Sequence, residues 1–401
     1  MNWQPGKVST RKSIAVILMG VAFVFVGRAH PQESEPASSK DHPLLEVDLR
    51  NLGYKTYEGV ERLPTFVDFT DVNNLAVAWL TLDDRTADKK TGKHPIGPAH
   101  LHVFALDTRT GQKQGLREWS TPSYPVSFLG VHDGRFLTCT GSLLRLFSPS
   151  FDVIRELHLP DDRACESISP SRQLLLLSFR SGQRYQRTLL DVGTFAAVAE
   201  WTEEDLTYGI SSHWLVGRCG KPLEVCIRRI DQSWHAFQPP GIDKRFRGYW
   251  RKSTFFVNDE TLVIEAGHEM AVATVDGALL FRVVLPKNRS FGGDQGSSGG
   301  ERFAVIVNRQ RGLTSPGLDM YAFPSNDRVV VYSIPDRRAI YAVKVKGTSP
   351  WAPWEPHVNQ LALSPDGTLL AVVSDEILKV YRLPGSNIVP ALTGYDAPGQ
   401  H

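Results

Sequence analysis

Leu361-Ala362-Leu363-Ser364-Pro365-Asp366-Gly367-Thr368-Leu369-Leu370-Ala371-Val372-Val373-Ser374, followed by Ile377-Leu378-Lys379-Val380-Tyr381-Arg382-Leu383-Pro384, is the stretch on which the fold turns. Short apolar runs rich in Leu, Val and Ile suit strands of a packed sheet. Pro365-Asp366-Gly367 punctuates them, because Pro presets φ and Gly accepts a positive φ. The stretch therefore predicts strand, tight turn, strand, short turn, strand.

Fainter copies of this unit precede it. The third strand is the clearest echo: an apolar run that meets Asp, Ser or Pro. It recurs at Leu101–Asp107, Leu143–Pro149, Arg187–Val192, Val225–Asp231, Met270–Asp276, Val329–Pro335 and Leu378–Pro384. The spacing of roughly 40 to 60 residues is the period of four-stranded propeller blades. Seven units result. A fourth strand follows most of them, at Val153–Leu159, Phe195–Trp201, Leu279–Leu285 and Ala339–Val345, whereas the seventh unit has none. Leu44-Leu45-Glu46-Val47-Asp48-Leu49, at the other end of the chain, is the candidate for the missing strand. An open ring would leave an unpaired strand edge. The fold expected is all-β: a seven-bladed β-propeller of four-stranded antiparallel blades, closed by an N-terminal strand in the C-terminal blade.

Ser364-Pro365-Asp366-Gly367, the apolar run after it and Val380-Tyr381 resemble the bacterial WD40-like, YVTN-type repeat. The Trp-Asp dipeptide of the eukaryotic WD40 repeat is absent, so the resemblance does not imply the side-chain tetrad built on it. Ala105-Leu106-Asp107-Thr108-Arg109-Thr110-Gly111, with Trp119 after it, is similar to a single repeat of quinoprotein-type propellers.

The chain of 401 residues is 41% hydrophobic and 22% charged, an ordinary globular balance. Its net charge of +2 gives no global case for a nucleic-acid partner. Lys7, Arg11 and Lys12 precede the apolar run Ile14–Val26, with small residues at Gly27-Arg28-Ala29. That is the order of a signal peptide, and the run is short against the about 20 residues of a membrane span. Residues 1–29 are expected to be a signal peptide, or else an uncleaved anchor. Either puts the rest outside the cytoplasm. The segment 30–43 reads as a disordered spacer, 44–385 as the propeller and 386–401 as a tail.

In a propeller the connections from strand two to three, and from strand four to the next blade, share one end of the ring. The long insertions at Asp83–His100 and Arg309–Asp327 fall there, as do aromatic and Arg-rich stretches between units. Such side chains are frequent binding anchors. The candidate binding residues are Trp119, Tyr124, Arg247, Tyr249, Trp250, Tyr321, Trp351 and Trp354. The competing reading is that these aromatics pack against neighbouring blades. Glu203, Glu204 and Asp205 form an acidic cluster that reads as solvated surface. His100 and His102, two apart on a strand, share a face. With His94 they are the nearest approach to a metal set, and no metal is assigned. No H-E-x-x-H or P-loop is present, and no catalytic residue or cofactor is assigned.

The four cysteines suit export better than a metal site, since none form C-x-x-C. The expected pairs are Cys219–Cys226 at a hairpin and Cys139–Cys165 between neighbouring units. The function expected is an exported, monomeric binding or scaffold module with a protein or glycan partner. The alternative is a propeller enzyme, either a quinoprotein-like oxidoreductase or a carbohydrate-active hydrolase or lyase.

Overall fold

The computed structural model describes residues 42–55, 65–82, 99–121, 126–140, 142–159, 164–181, 184–203, 206–219, 224–237, 254–266, 268–286, 289–309, 326–346, 361–374 and 376–385. These form seven antiparallel sheets of four strands. Blade 1 is β2 (Thr65–Phe69), β3 (Asn74–Leu82), β4 (Ala99–Asp107) and β5 (Lys113–Thr121). Blade 2 is β6 (Val126–Gly130), β7 (Phe136–Thr140), β8 (Leu143–Phe147) and β9 (Val153–His158). Blade 3 is β10 (Ala164–Ile168), β11 (Leu174–Ser181), β12 (Arg184–Asp191) and β13 (Ala197–Glu203). Blade 4 is β14 (Leu206–Ile210), β15 (Trp214–Cys219), β16 (Glu224–Arg229) and the very short β17 (His235–Ala236). Blade 5 is β18 (Thr254–Phe256), β19 (Thr261–Ala266), β20 (Glu269–Thr274) and β21 (Leu279–Val284). Blade 6 is β22 (Arg289–Gly299), β23 (Arg302–Arg309), β24 (Asn326–Ser333) and β25 (Arg338–Lys346). Blade 7 takes β26 (Leu361–Leu363), β27 (Leu369–Ser374) and β28 (Ile377–Arg382) from the C-terminal part, and β1 (Leu45–Asp48) from the N-terminal part.

The clasp is in register as Leu45↔Val380, Glu46↔Lys379, Val47↔Leu378 and Asp48↔Ile377. Flanking backbone bonds extend it: Leu44 donates to the Val380 carbonyl at 2.7 Å and Leu49 to the Glu376 carbonyl at 2.9 Å. Val47, Leu49 and Tyr54 are then buried with Phe69 and Trp79 of blade 1 and with Leu378 and Val380 of blade 7. The N-terminal segment thus completes one blade and seals it to the next.

Each seam between neighbouring blades has its own apolar cluster, and the seven clusters run around the ring. This explains the strand sequences. Middle strands such as β19 and β27 are covered on both faces, so they read as nearly continuous apolar runs. Outer strands such as β9 and β13 are mostly exposed and carry mixed polar sequences.

The turn at Ser364 shows how strands one and two are joined. The buried Ser364 hydroxyl accepts the amides of Thr368 and Leu369 at 3.0 and 2.9 Å, and donates to Asp366 at 2.6 Å. Gly367 sits at φ 68°, and a Cβ there would lie 2.5 Å from the Gly299 carbonyl oxygen of blade 6. Conformation and close approach both require glycine. Ser169 and Ser211, equally buried, use their hydroxyls the same way in blades 3 and 4.

No helix among the described residues is long and apolar enough to cross a membrane.

Candidate functional site: the central channel and the two ends of the ring

The first strand of every blade faces a common axis. Between them lies a cavity of about 190 Å³, reached by Asp68 of blade 1, Leu129 of blade 2, Glu166 of blade 3, Phe255 of blade 5, Ser297 of blade 6 and Leu361 of blade 7. Its charged groups are already engaged. Arg172, in the turn after β10, reaches across blade 2 to Asp68, with Nη1 2.5 Å from Oδ2 and Nη2 2.9 Å from Oδ1. Nη1 also donates to the Gly130 carbonyl at 2.8 Å, and the Gly130 amide donates to Asp68 at 2.8 Å. Burial by itself would pull the Arg172 guanidinium down, but the Asp68 charge and hydrogen bonds outweigh it and hold it above the usual arginine range.

Glu166, the other channel acid, accepts a hydrogen bond from the Ser178 hydroxyl and lies 3.6 Å from Arg187 Nη1. It opens a line of charge into the seam between blades 3 and 4. The Arg187 side chain is 1% exposed and donates to Glu203 at 3.1 Å. The Thr207 hydroxyl donates to the same Glu203 oxygen. Beyond it, Arg228 lies between the rings of Trp201 and Trp234, at 4.7 and 4.8 Å from their centroids. Burial pulls the Arg228 guanidinium down, and Glu203 opposes the shift. Only Leu176, Leu189, Ile210 and Leu215 form the fully buried apolar cluster of this seam. Glu203 is therefore no part of a solvated surface. The sequence places it in an acidic run, but its side chain is 7% exposed because two arginines and a threonine close around it.

The histidine pair is also engaged. Glu118 on β5 reaches His100 at 2.8 Å and His102 at 3.7 Å. His102 pairs its other ring nitrogen with the Thr81 hydroxyl at 2.7 Å and stacks on Trp79. Among the described residues no group of three or more His, Cys, Asp or Glu side chains is arranged to hold a metal ion.

Of the candidate binding residues, Trp119 lies within β5 rather than in the loop after it. Its ring packs on Phe147, with centroids 4.8 Å apart, and on Phe136 and Phe151 across the seam to blade 2. Its burial against those rings makes it a seam residue. Tyr124, Arg247, Tyr249, Trp250, Tyr321, Trp351 and Trp354 lie outside the described residues. The structure joins Cys219 to Cys226, with Cα atoms 5.8 Å apart, whereas Cys139 and Cys165 are unjoined thiols in contact.

The two ends of the ring differ. Connections from strand one to two, and from three to four, run 70–73, 108–112, 131–135, 148–152, 169–173 and so on around the ring, and none exceeds five residues. At the opposite end, the strands that border 83–98, 237–253, 310–325 and 347–360 are joined by much longer stretches of chain.

Solved structures to which the chain is similar include the following three. Kluyveromyces lactis Hsv2 aligns with 11% identity over 78% of this chain and 90% of that one, TM-score 0.42. The WD40 domain of Neurospora crassa Pan2 aligns with 10% identity over 86% and 95%, TM-score 0.39. BamB from Moraxella catarrhalis aligns with 12% identity over 80% and 86%, TM-score 0.36. The sequence matches no protein-family model and no curated protein. The blade count and topology above rest on strand pairing in this chain.

Proposed function

We propose that this chain is an exported, non-enzymatic binding or scaffold module that engages a protein or glycan at the end of the ring with the long connections. One observation carries the reading: the asymmetry of the two ends. No connection at one end exceeds five residues, whereas the four longest connections all depart from the other. A rigid ring with long loops on one end is a frame for recognition. Those connections hold Arg247, Tyr249 and Trp250, then Tyr321, then Trp351 and Trp354. Aromatic and Arg side chains supply much of the binding energy at interfaces. The channel supports the reading further, since Asp68 and Glu166 are each held by an arginine or hydroxyl partner. Export is supported by the basic and apolar order of residues 7–26.

The test is photo-crosslinking in an extract of the source cells. A photoreactive residue is placed at 250, 321 or 351, and in a second set at 109, 194 or 337 on the short-turn end. Adducts from the first set and not the second are expected. Adducts from the second set alone, or from neither, would overturn the proposal.

A further inference from the structure

We propose that Cys139 and Cys165 close into a disulfide between blades 2 and 3, a covalent staple formed by exchange with an external disulfide. Cys139 is on β7, paired with Ser127 and Leu144. Cys165 is near the start of β10, opposite Leu177. Strand two ends and strand one begins at the same end of the ring, so two cysteines 26 positions apart meet across the seam. The Cys139 thiol is hydrogen-bonded to the thiol and backbone of Cys165. The pair is walled by Leu137, Leu144, Leu175 and Leu177.

The contact also divides the acidity. Hydrogen bonding from Cys165 draws the Cys139 thiol below the usual cysteine range against the pull of burial. Burial, followed by the Cys139 contact and Glu166, pushes Cys165 well up. Cys139 is buried, and Cys165 is half-buried and so offers the approach from outside.

The exchange balances as follows. One cysteine, as thiolate, attacks a sulfur of the external disulfide, forming a mixed disulfide and releasing one thiol. The second attacks the cysteine sulfur of that mixed disulfide, and a second thiol leaves. The pair gives up two protons and two electrons, and the external disulfide receives both. The same chain already carries one such bond, Cys219–Cys226, at the connection between strands two and three of blade 4. The new staple would tie two blades where that one ties two strands.

The experiment uses the full chain, with oxidised glutathione as the disulfide. The protein is folded, reduced, freed of reductant and exposed to oxidised glutathione at mildly alkaline pH. It is then alkylated and mapped by mass spectrometry. A peptide cross-linked through Cys139 and Cys165 is expected, with neither thiol open to alkylation. In a Cys219→Ser, Cys226→Ser background, adding reductant should lower the thermal midpoint. Adding Cys139→Ala and Cys165→Ala should abolish that response. Two thiols that stay alkylatable, or that carry separate glutathione adducts with no cross-linked peptide, would overturn the proposal. The mapping stands on the unaltered protein, so it decides the matter even where a variant fails to fold.

Discussion

Arg172 stands where the matching turn of blade 7 has Gly367, and both have positive φ, 57° and 68°. Ser169-Pro170-Ser171-Arg172 thus copies Ser364-Pro365-Asp366-Gly367 with an arginine at the glycine position. A side chain in that backbone region costs about 1–2 kcal/mol. The left-handed backbone turns the guanidinium toward the axis, and the two bonds to Asp68 offset the cost. One strained residue therefore ties blades 1, 2 and 3 together. Asp68→Ala should cost about 3 kcal/mol in urea unfolding, because it strands a nearly buried arginine. Arg172→Ala should be worse than Arg172→Gly by about 1 kcal/mol, since glycine relieves the backbone. Equal losses for the two Arg172 variants would show that the backbone strain is not real.

Leu49 is fully buried beside the clasp, whereas Leu44 is 43% exposed. Leu49→Ala should lower unfolding free energy by about 3 kcal/mol, through lost burial and the cavity left behind. Leu44→Ala should stay within about 0.5 kcal/mol of the parent. Chemical denaturation compares them directly, and similar small effects at both positions would contradict a sealed seam.

Burial holds the His102 imidazole below its ordinary range, with Glu118 opposing and His100 and Lys55 reinforcing. The folded protein therefore resists a proton that the unfolded chain accepts at its usual pKa of 6.5. The sign follows: this contribution is intact above the unfolded value and is lost as pH falls toward the lower folded one. Stability should drop on acidification below about pH 6.5. His102→Asn should flatten that part of the profile, measured as unfolding free energy against pH. An unchanged slope in the variant would remove His102 as the cause.

Much of the architecture is legible before any coordinates, for a physical reason. Strands buried on both faces must be mostly apolar, so third strands such as Val329–Pro335 stand out, and the lack of a fourth strand in the last unit points to Leu44–Leu49. Other features lack a local signal. β17 has only two residues and takes its place by pairing with β16. Arg187, Glu203 and Arg228 look like ordinary surface charges until blade 4 packs on blade 3 and removes them from water. Trp119 reads as a loop anchor because β5 is polar and its end is not marked. Its partners Phe136, Phe147 and Phe151 belong to the next blade.

The most direct test of the closed ring is hydrogen exchange on the clasp, followed by mass spectrometry of peptides covering 42–50 and 361–374. The backbone bonds of β1 to β28 predict protection of Val47 and its neighbours within about tenfold of that in β27, since both open only when the seam does. Exchange of 45–48 at the rate of an unpaired chain, with β27 still protected, would contradict the closure and the common loop-bearing end that depends on it.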